Sequence, residues 1–469
     1  MNYDNCNIDS IEEYALTLLD KNLLEVLGSN NFRIKESKSK GRLGQVVEEE
    51  FFGYNVNSVK DADFKEVGVE LKVCPLKQIK KNEKSDVLRL REGIAAKERV
   101  VLSIINYMDI YNETWDTNTL MKKLSKILFM FYMYEKDKPI EEYIFNIISL
   151  WEPSESDLEV IKSDWNIILS KINEGKAHEI SEGDTMYLGA CTKGSTAEKS
   201  KRKQPFSDVM APQRAFCLKN SYVNSIIDEL LNRKYYSKNK NKELYIEGKT
   251  FDKIILDRLN IEIGKNLKDI MSQLEINRER KAKNFINLIV NDIFEKKFGA
   301  KINEIIEFEK SNIEVRTVLI KNNGMPKESM SFDLINYTEI LEGNWEDSDI
   351  RQRFENKKIL WVVFKTEKNY SKQSELSLED IVLHKIKFWN MSIEDLDNDM
   401  KYVWQDTVNK IKNGVYNDFI KISDNKKFHI RDKGRNSNDC MLTPQGTFEK
   451  KRAFWLNASY IKEIIEKED

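Results

Sequence analysis

Apolar positions along the chain follow two rhythms. Across residues 11–27 they recur at the three- or four-residue spacing of a helix that buries one face. Residues 43–52 keep that spacing behind a glycine-bounded turn and predict a second helix. Gly68-Val-Glu-Leu-Lys-Val73 instead alternates at period two, the pattern of a half-buried strand. Residues 100–105 and 127–132 are unbroken apolar runs of strand length, and 158–174 return to helical spacing. Helices and strands in this order predict an α/β domain with a central mixed sheet.

The pattern then recurs. Asp63 to Lys72, with Glu70 near its end, has a counterpart in Glu307 to Arg316, with Glu314 in the same place. Val101-Leu-Ser-Ile is matched to Ser329-Met-Ser-Phe, Trp115 to Trp345, and Lys126-Ile-Leu-Phe to Lys358-Ile-Leu-Trp. The stretch around Asp164-Trp165 returns around Val403-Trp404, and Thr192-Lys193-Gly194 as Asp432-Lys433-Gly434. Gln213-Arg-Ala-Phe to Tyr222 reappears as Lys451-Arg-Ala-Phe to Tyr460. Matches that keep their order predict two related domains, 1–232 and 250–469, joined by a polar linker at 233–249.

Composition narrows the chemistry. With 469 residues the chain can bury two cores, and 33% charged residues suit a solvated surface. No apolar run approaches the ~18 residues that span a bilayer. Asp4, Asp9, Glu12 and Glu13 exclude a secretory leader, so a cytoplasmic protein with no membrane partner is expected. Five scattered cysteines without a C-x-x-C pair predict buried thiols rather than zinc or disulfides. Three histidines leave any catalytic metal to oxygen ligands, which favours Mg2+, with Mn2+ as its substitute. The net charge of −2 means that a nucleic-acid surface must come from local clusters such as Lys35 to Arg42, Lys77 to Lys84 and Lys199 to Lys203. Taken singly, each cluster reads more simply as a solvated face.

Glu70 and Lys72 lie two apart on a predicted strand and share a face. Gly68 supplies a turn that can bring Asp63 to Glu70. Two carboxylates in one site repel, and a divalent cation lets both stay ionised. A neighbouring lysine can orient water or stabilise phosphate charge, so the set suits metal-assisted phosphodiester hydrolysis. A Glu-x-Lys pair alone is more often a surface ion pair. Lys40-Gly-Arg-Leu-Gly-Gln-Val-Val-Glu48, two glycines in a basic turn that opens a helix, adds a third carboxylate and a phosphate-binding turn.

Together, Lys40-Gly-x-x-Gly-Gln-x-x-Glu48 and Asp63-Phe-x-Glu-x-Gly-Val-Glu70-Leu-Lys72 resemble the active-site signature of the MutH/Sau-type endonucleases. The resemblance spans essentially the whole chain and implies two tandem domains of the PD-(D/E)xK restriction-endonuclease fold, each a central mixed sheet flanked by helices. It implies that Asp63, Glu70 and the Leu71 carbonyl ligate Mg2+ and that Lys72 is the catalytic lysine. Glu48 would complete the metal site or hold that lysine, Lys40 would contact phosphate, and Lys123 would match a further active-site lysine. Base reading would fall to Lys193 and Gly194 in the first domain and to Arg431, Lys433, Gly434 and Arg435 in the second, with Arg202 on phosphates. Where the family has its reading arginine, the first domain carries Cys191 or Thr192.

In the second copy Glu307 replaces Asp63 and Arg316 replaces Lys72, a bulky fixed cation in place of a compact one. No glycine pair precedes them, while the reading-loop cations remain. The resemblance therefore implies a type IIE-like restriction enzyme for double-stranded DNA containing GATC. Its second domain would bind a further DNA site as allosteric effector, with self-association on two DNA sites. A structural lid or dimerisation role is the competing reading of that domain. A mismatch-repair-type GATC nickase and a non-cleaving DNA-binding regulator are the alternatives for the whole chain.

Overall fold

The computed structural model describes residues 3–28, 42–54, 61–79, 93–193, 200–231, 243–244, 246, 248–280, 282, 284–346, 348–370, 375–436 and 438–467. Lys40, Gly41 and Gly194 lie outside the described residues, as does most of the 233–249 stretch. The chain divides into two compact units. The first comprises Met1–Ile180, Thr185–Asn239 and Glu309–Ser311; the second comprises Ser181–Asp184, Lys240–Phe308 and Asn312–Asp469.

In the first unit, β1 (Glu70–Gln78), β2 (Ile94–Ala96), β4 (Ile127–Met133) and β5 (Phe145–Trp151) form a mixed sheet in the order β2-β1-β4-β5. Only β1 and β4 run parallel, with Glu70 opposite Ile127 and Lys72 opposite Phe129. β4 is central and buried along all but its last residue, which explains its unbroken apolar run. Ile11, Ala15 and Leu18 pack with Leu71, Leu128 and Met130 in one core. A second, antiparallel sheet is ordered β3-β9-β6, from β3 (Val100–Ile104), β9 (Arg214–Leu218) and β6 (Leu188–Thr192). A ribbon of β7 (Lys201–Gln204) and β8 (Ser207–Pro212) completes the unit's strands among the described residues.

The second unit repeats the plan. β10 (Ile313–Ile320), β12 (Lys358–Lys365) and β13 (Val382–Trp389) form one mixed sheet, β10 parallel to β12. β11 (Met330–Leu334), β17 (Arg452–Leu456) and β14 (Phe428–Asp432) form the antiparallel sheet, and β15 (Cys440–Leu442) pairs with β16 (Phe448–Lys450). Trp361, Val363, Phe454 and Ile461 share its core.

The two units agree in register as well as in plan. Glu70 faces Ile127 in the first, and Glu314 faces Ile359 in the second. Ring centroids of Trp115 and Trp165 lie 5.9 Å apart, those of Trp345 and Trp404 5.6 Å apart. The Tyr107 hydroxyl donates to the Pro212 carbonyl at 2.6 Å, and Tyr337 to Lys450 at 2.5 Å. Tyr222 donates to Asp157 at 2.9 Å, and Tyr460 to Asp395 at 2.6 Å. Each pair ties the same places in the two copies.

Four sequence readings change. The first helix does not run through residues 11–27: it covers Ile8–Leu16, and a short one follows at Leu23–Leu27. Between them Leu19 bridges to Phe145 and Asp20 takes a positive φ of 59°, so the chain leaves the helix to pair at the edge of β5. The match of Val101 to Ser329 slips by two residues, because Val101 pairs with Cys217 while Ser331, not Ser329, pairs with Trp455. Gly44 is not in a turn; it lies within the Arg42–Val46 helix, where an added Cβ would sit 3.9 Å from the Val73 Cβ. Cys74, Cys191 and Cys217 are buried thiols, but Cys6 is exposed and Cys440 partly so.

The long helix Glu155–Asn173 buries Ile161, Trp165, Ile168 and Ile172 and is capped by the Ser154 side chain. Its Asp164 is fully buried and accepts main-chain N–H bonds from Met186 at 2.7 Å, Tyr187 at 2.6 Å and Leu188 at 2.9 Å. Burial pushes its carboxyl up to about 6 against the pull of those donors and of Lys219. Asp164 thus anchors the start of β6, the strand that leads to Lys193. Asp164→Ala orphans three buried donors and is expected to lower unfolding free energy by on the order of 3 kcal/mol or more. A urea midpoint within error of the parent would remove this anchor from the account.

Candidate active site

Asp63 enters the site through a tight turn. Phe64 and Val69 exchange main-chain bonds of 2.9 and 3.2 Å, and Gly68 takes a φ of +66°, a left-handed conformation that costs side-chain-bearing residues energy. An added Cβ there would meet nothing within 4 Å, so the demand is on the backbone and not on space. The turn sets Asp63 beside the start of β1, where its Oδ2 accepts the Leu71 N–H at 2.9 Å.

Glu70 opens β1 and is only 1% exposed. A buried carboxylate needs paired charge. Two lysines supply it. Lys72 Nζ lies 2.6 Å from Glu70 Oε1, and Lys123 Nζ lies 3.1 Å from both Glu70 oxygens. Of the three neighbouring lysines only Lys123 turns to Glu70: Lys122 pairs with Asp61 at 2.7 Å and Lys126 with Glu152 at 2.8 Å. The parallel β1–β4 pairing accounts for this reach, since the residues just before β4 stand beside the beginning of β1.

Glu48 lies in a π-helical turn, Val47–Phe51, that extends the Arg42–Val46 helix. Such wide turns cluster at functional sites. Burial, then the nearby charge of Asp63, pushes the Glu48 carboxyl up to about 7 against the pull of Lys72; Glu70 and Glu49 add to the rise. Asp63 is likewise raised, by burial and then by Glu70, against the Leu71 N–H, Lys72 and Lys123. Glu48, Asp63, Glu70, Lys72 and Lys123 therefore sense one another as a group with more negative than positive charge. Among the described residues no three acidic, histidine or cysteine side chains form a ready cage for a metal ion. Two carboxylates and one carbonyl, however, match the small protein share that Mg2+ takes while keeping its waters. The mutual repulsion of Asp63 and Glu70 is what such an ion would relieve, so the donor set fits.

One member of the site was missed in the sequence. The Tyr54 hydroxyl is buried without a hydrogen-bond partner, and burial followed by Asp63 and Glu48 drives its ionisation far above the usual range. A neutral O–H donor beside crowded carboxylates can hold a carboxylate oxygen or an ordered water. The signal lay in Gly53-Tyr54, directly after the helix that carries Glu48, but nothing in apolar spacing marks a tyrosine as polar machinery.

The expected reading residues lie elsewhere. Lys193 follows β6 and its N–H donates to the Gln213 carbonyl at 2.7 Å. Arg202 is exposed on β7 and reaches the Gln213 side chain at 2.7 Å. Of the two residues standing at the family's arginine, Cys191 is buried and Thr192 exposed. In the second unit Arg431, Lys433, Gly434 and Arg435 are all exposed after or at the end of β14. Arg431 lies 5.5 Å over the Trp455 ring, and the Lys433 ammonium donates to the Phe332 carbonyl.

The second unit does not rebuild the acidic group. Glu307 is buried and accepts the Leu244 N–H. Glu314, in the register of Glu70, is held by Arg316, by Arg353 at 3.2 Å and by Lys357 at 2.8 Å.

Comparison with known proteins finds one family in both units. The family model for the DNA mismatch repair enzyme MutH matches residues 52–164 and again 298–400, once in each unit. The first match contains Asp63, Glu70, Lys72 and Lys123, and the second contains Glu307, Glu314 and Arg316. The type II restriction enzyme Sau3AI of Staphylococcus aureus is 32% identical across 97% of this chain and 98% of its own. The DNA mismatch repair protein MutH of Shewanella woodyi is 27% identical over 40% of this chain and 77% of its own. Its namesake from Shewanella baltica strain OS185 is 24% identical over 48% of this chain and 96% of its own.

Proposed function

The chain belongs to the MutH family, and from that premise we propose that it is a type II restriction endonuclease that cuts both strands of duplex DNA at GATC, with Mg2+. The observation that carries the reading is the buried Glu70 carboxylate shared by Lys72 and Lys123 beside Asp63. Asp63, Glu70 and the Leu71 carbonyl would hold the ion. When bound, Mg2+ supplies positive charge against the scissile phosphate and a counter-ion for the two carboxylates. Lys72 presents an ammonium that orients the attacking water and stabilises charge on the phosphate. Lys123 fixes the Glu70 carboxylate from its other side, and Glu48 completes the acidic wall. Lys193 and Arg202 would track the duplex, a lysine near a base edge being able to donate to guanine O6 and N7.

The second unit, which lacks the acidic group, would bind another DNA site as an effector through Arg431, Lys433 and Arg435. Incubating the protein and Mg2+ with unmethylated plasmid tests the whole reading. Linear fragments whose ends map to GATC are expected. Nicked circles alone would point to a mismatch-repair-type nickase, and intact plasmid with retained binding to a DNA-binding regulator.

A further inference from the structure

The place that holds an acidic group in the first unit holds a cationic one in the second. Four cations gather there: Arg316, Arg353, Lys357 and Lys433. They face two carboxylates, Glu314 and the mostly exposed Asp333, which pairs with Arg353. In the first unit the count runs the other way, three carboxylates to two lysines. The inversion follows from single positions: Arg316 stands where Lys72 does, while Arg353 and Lys357 come from just before β12, the counterpart of the segment that delivers Lys123.

The cluster is short of anions. Burial, with Arg353 and then Arg316, holds the Lys357 ammonium below its usual range in spite of Glu314, and Lys433 is lowered by burial and the same two arginines. Burial pushes Glu314 up, but Lys357, Arg316 and Arg353 outweigh it and hold the carboxyl below the ordinary range. The Nε atoms of Arg316 and Arg353 are buried without hydrogen-bond partners. An orphaned buried guanidinium N–H is costly, and an oxyanion is what satisfies it. A divalent cation is excluded by the surplus of positive charge. The cluster is not sealed: the Arg316 side chain is 28% exposed, and the exposed Lys433 joins it to Arg431 and Arg435.

We infer that this pocket of Arg316, Arg353, Lys357 and Lys433 is a phosphate site that seats a backbone phosphodiester of the second duplex. The inherited metal position has become an anion position, and the guanidinium forks suit two phosphate oxygens. The inference rests on the reading of the second unit as a DNA-binding unit and says where the backbone is gripped.

The test uses the full chain without divalent metal, so that the duplex stays intact. Anisotropy titrations with a labelled GATC duplex give stoichiometry and affinity over a salt series. Wild type is expected to bind two duplexes per chain. In Arg316→Gln/Arg353→Gln the second is expected to weaken about tenfold or more, with its salt slope reduced by about one. Glu314→Gln, which removes the competing carboxylate, is expected to tighten it, a gain that damaged folding cannot mimic. Inorganic phosphate should compete for the second site in wild type and not in the double variant. Two duplexes bound with unchanged affinity and slope in the double variant would overturn the pocket while leaving the DNA-binding reading intact. Competition by phosphate without any effect of the substitutions on duplex binding would also overturn it, in favour of a free-phosphate site. One duplex per wild-type chain would bring down the DNA-binding reading of the second unit, and the pocket with it.

Discussion

A Lys72→Ala chain is expected to lose DNA cleavage by about a thousandfold or more, the scale of removing a charged group that acts on the transition state. Lys72 Nζ sits 2.6 Å from Glu70 Oε1 with its side chain 19% exposed, so it faces the site while remaining open to substrate. Duplex affinity measured with Ca2+ should change by no more than about threefold, since one cation among many contacts the backbone. Lys72→Arg should not rescue: a bulky planar fork does not fit the place of a compact ammonium. The second unit carries that substitution already, at Arg316, which there binds Glu314 outright. Cleavage by Lys72→Ala at a tenth of the parental rate would mean that the chemistry happens elsewhere.

Glu70→Gln should be at least as damaging, and for a different reason. The carboxylate takes Lys72 on one oxygen and Lys123 on both. An amide of the same shape offers one acceptor and turns an N–H2 donor toward an ammonium, so two half-buried cations lose their counter-charge together. The proposed metal pair falls to Asp63 alone. Cleavage is expected to drop by about a thousandfold or more, and divalent-ion binding followed by calorimetry should disappear. Unaltered ion binding in the folded variant would place the metal away from Glu70.

Much of the fold was legible because its signals are local. Alternation marked the opening of β1, unbroken apolar runs marked β3 and β4, and helical spacing marked Glu155–Asn173. Glu70 and Lys72 were legible for the same reason, lying two apart on one strand. What escaped depends on pairing over distance. The break after Leu16 comes from Leu19 joining Phe145, a partner far along the chain. The two-residue slip at β11 follows its register with β17, which similarity between runs does not determine. Lys123 could be told from Lys122 and Lys126 only once β1 and β4 were set side by side. Arg353 and Lys357 around Glu314 were invisible for the same cause, whereas the Lys-to-Arg change at Arg316 stood in plain sight.

The shared register of the two mixed sheets has a consequence for how the molecule is made. Glu70 opens β1 and Glu314 stands second in β10, and the two strands zip alongside their partners at matching positions, Ile127 and Ile359. A chain released whole from denaturant therefore offers each of these strands two acceptable mates, and tandem repeats of this kind are prone to crossed assembly. Emergence from the ribosome avoids the ambiguity, because β1 meets β4 before β12 has been synthesised.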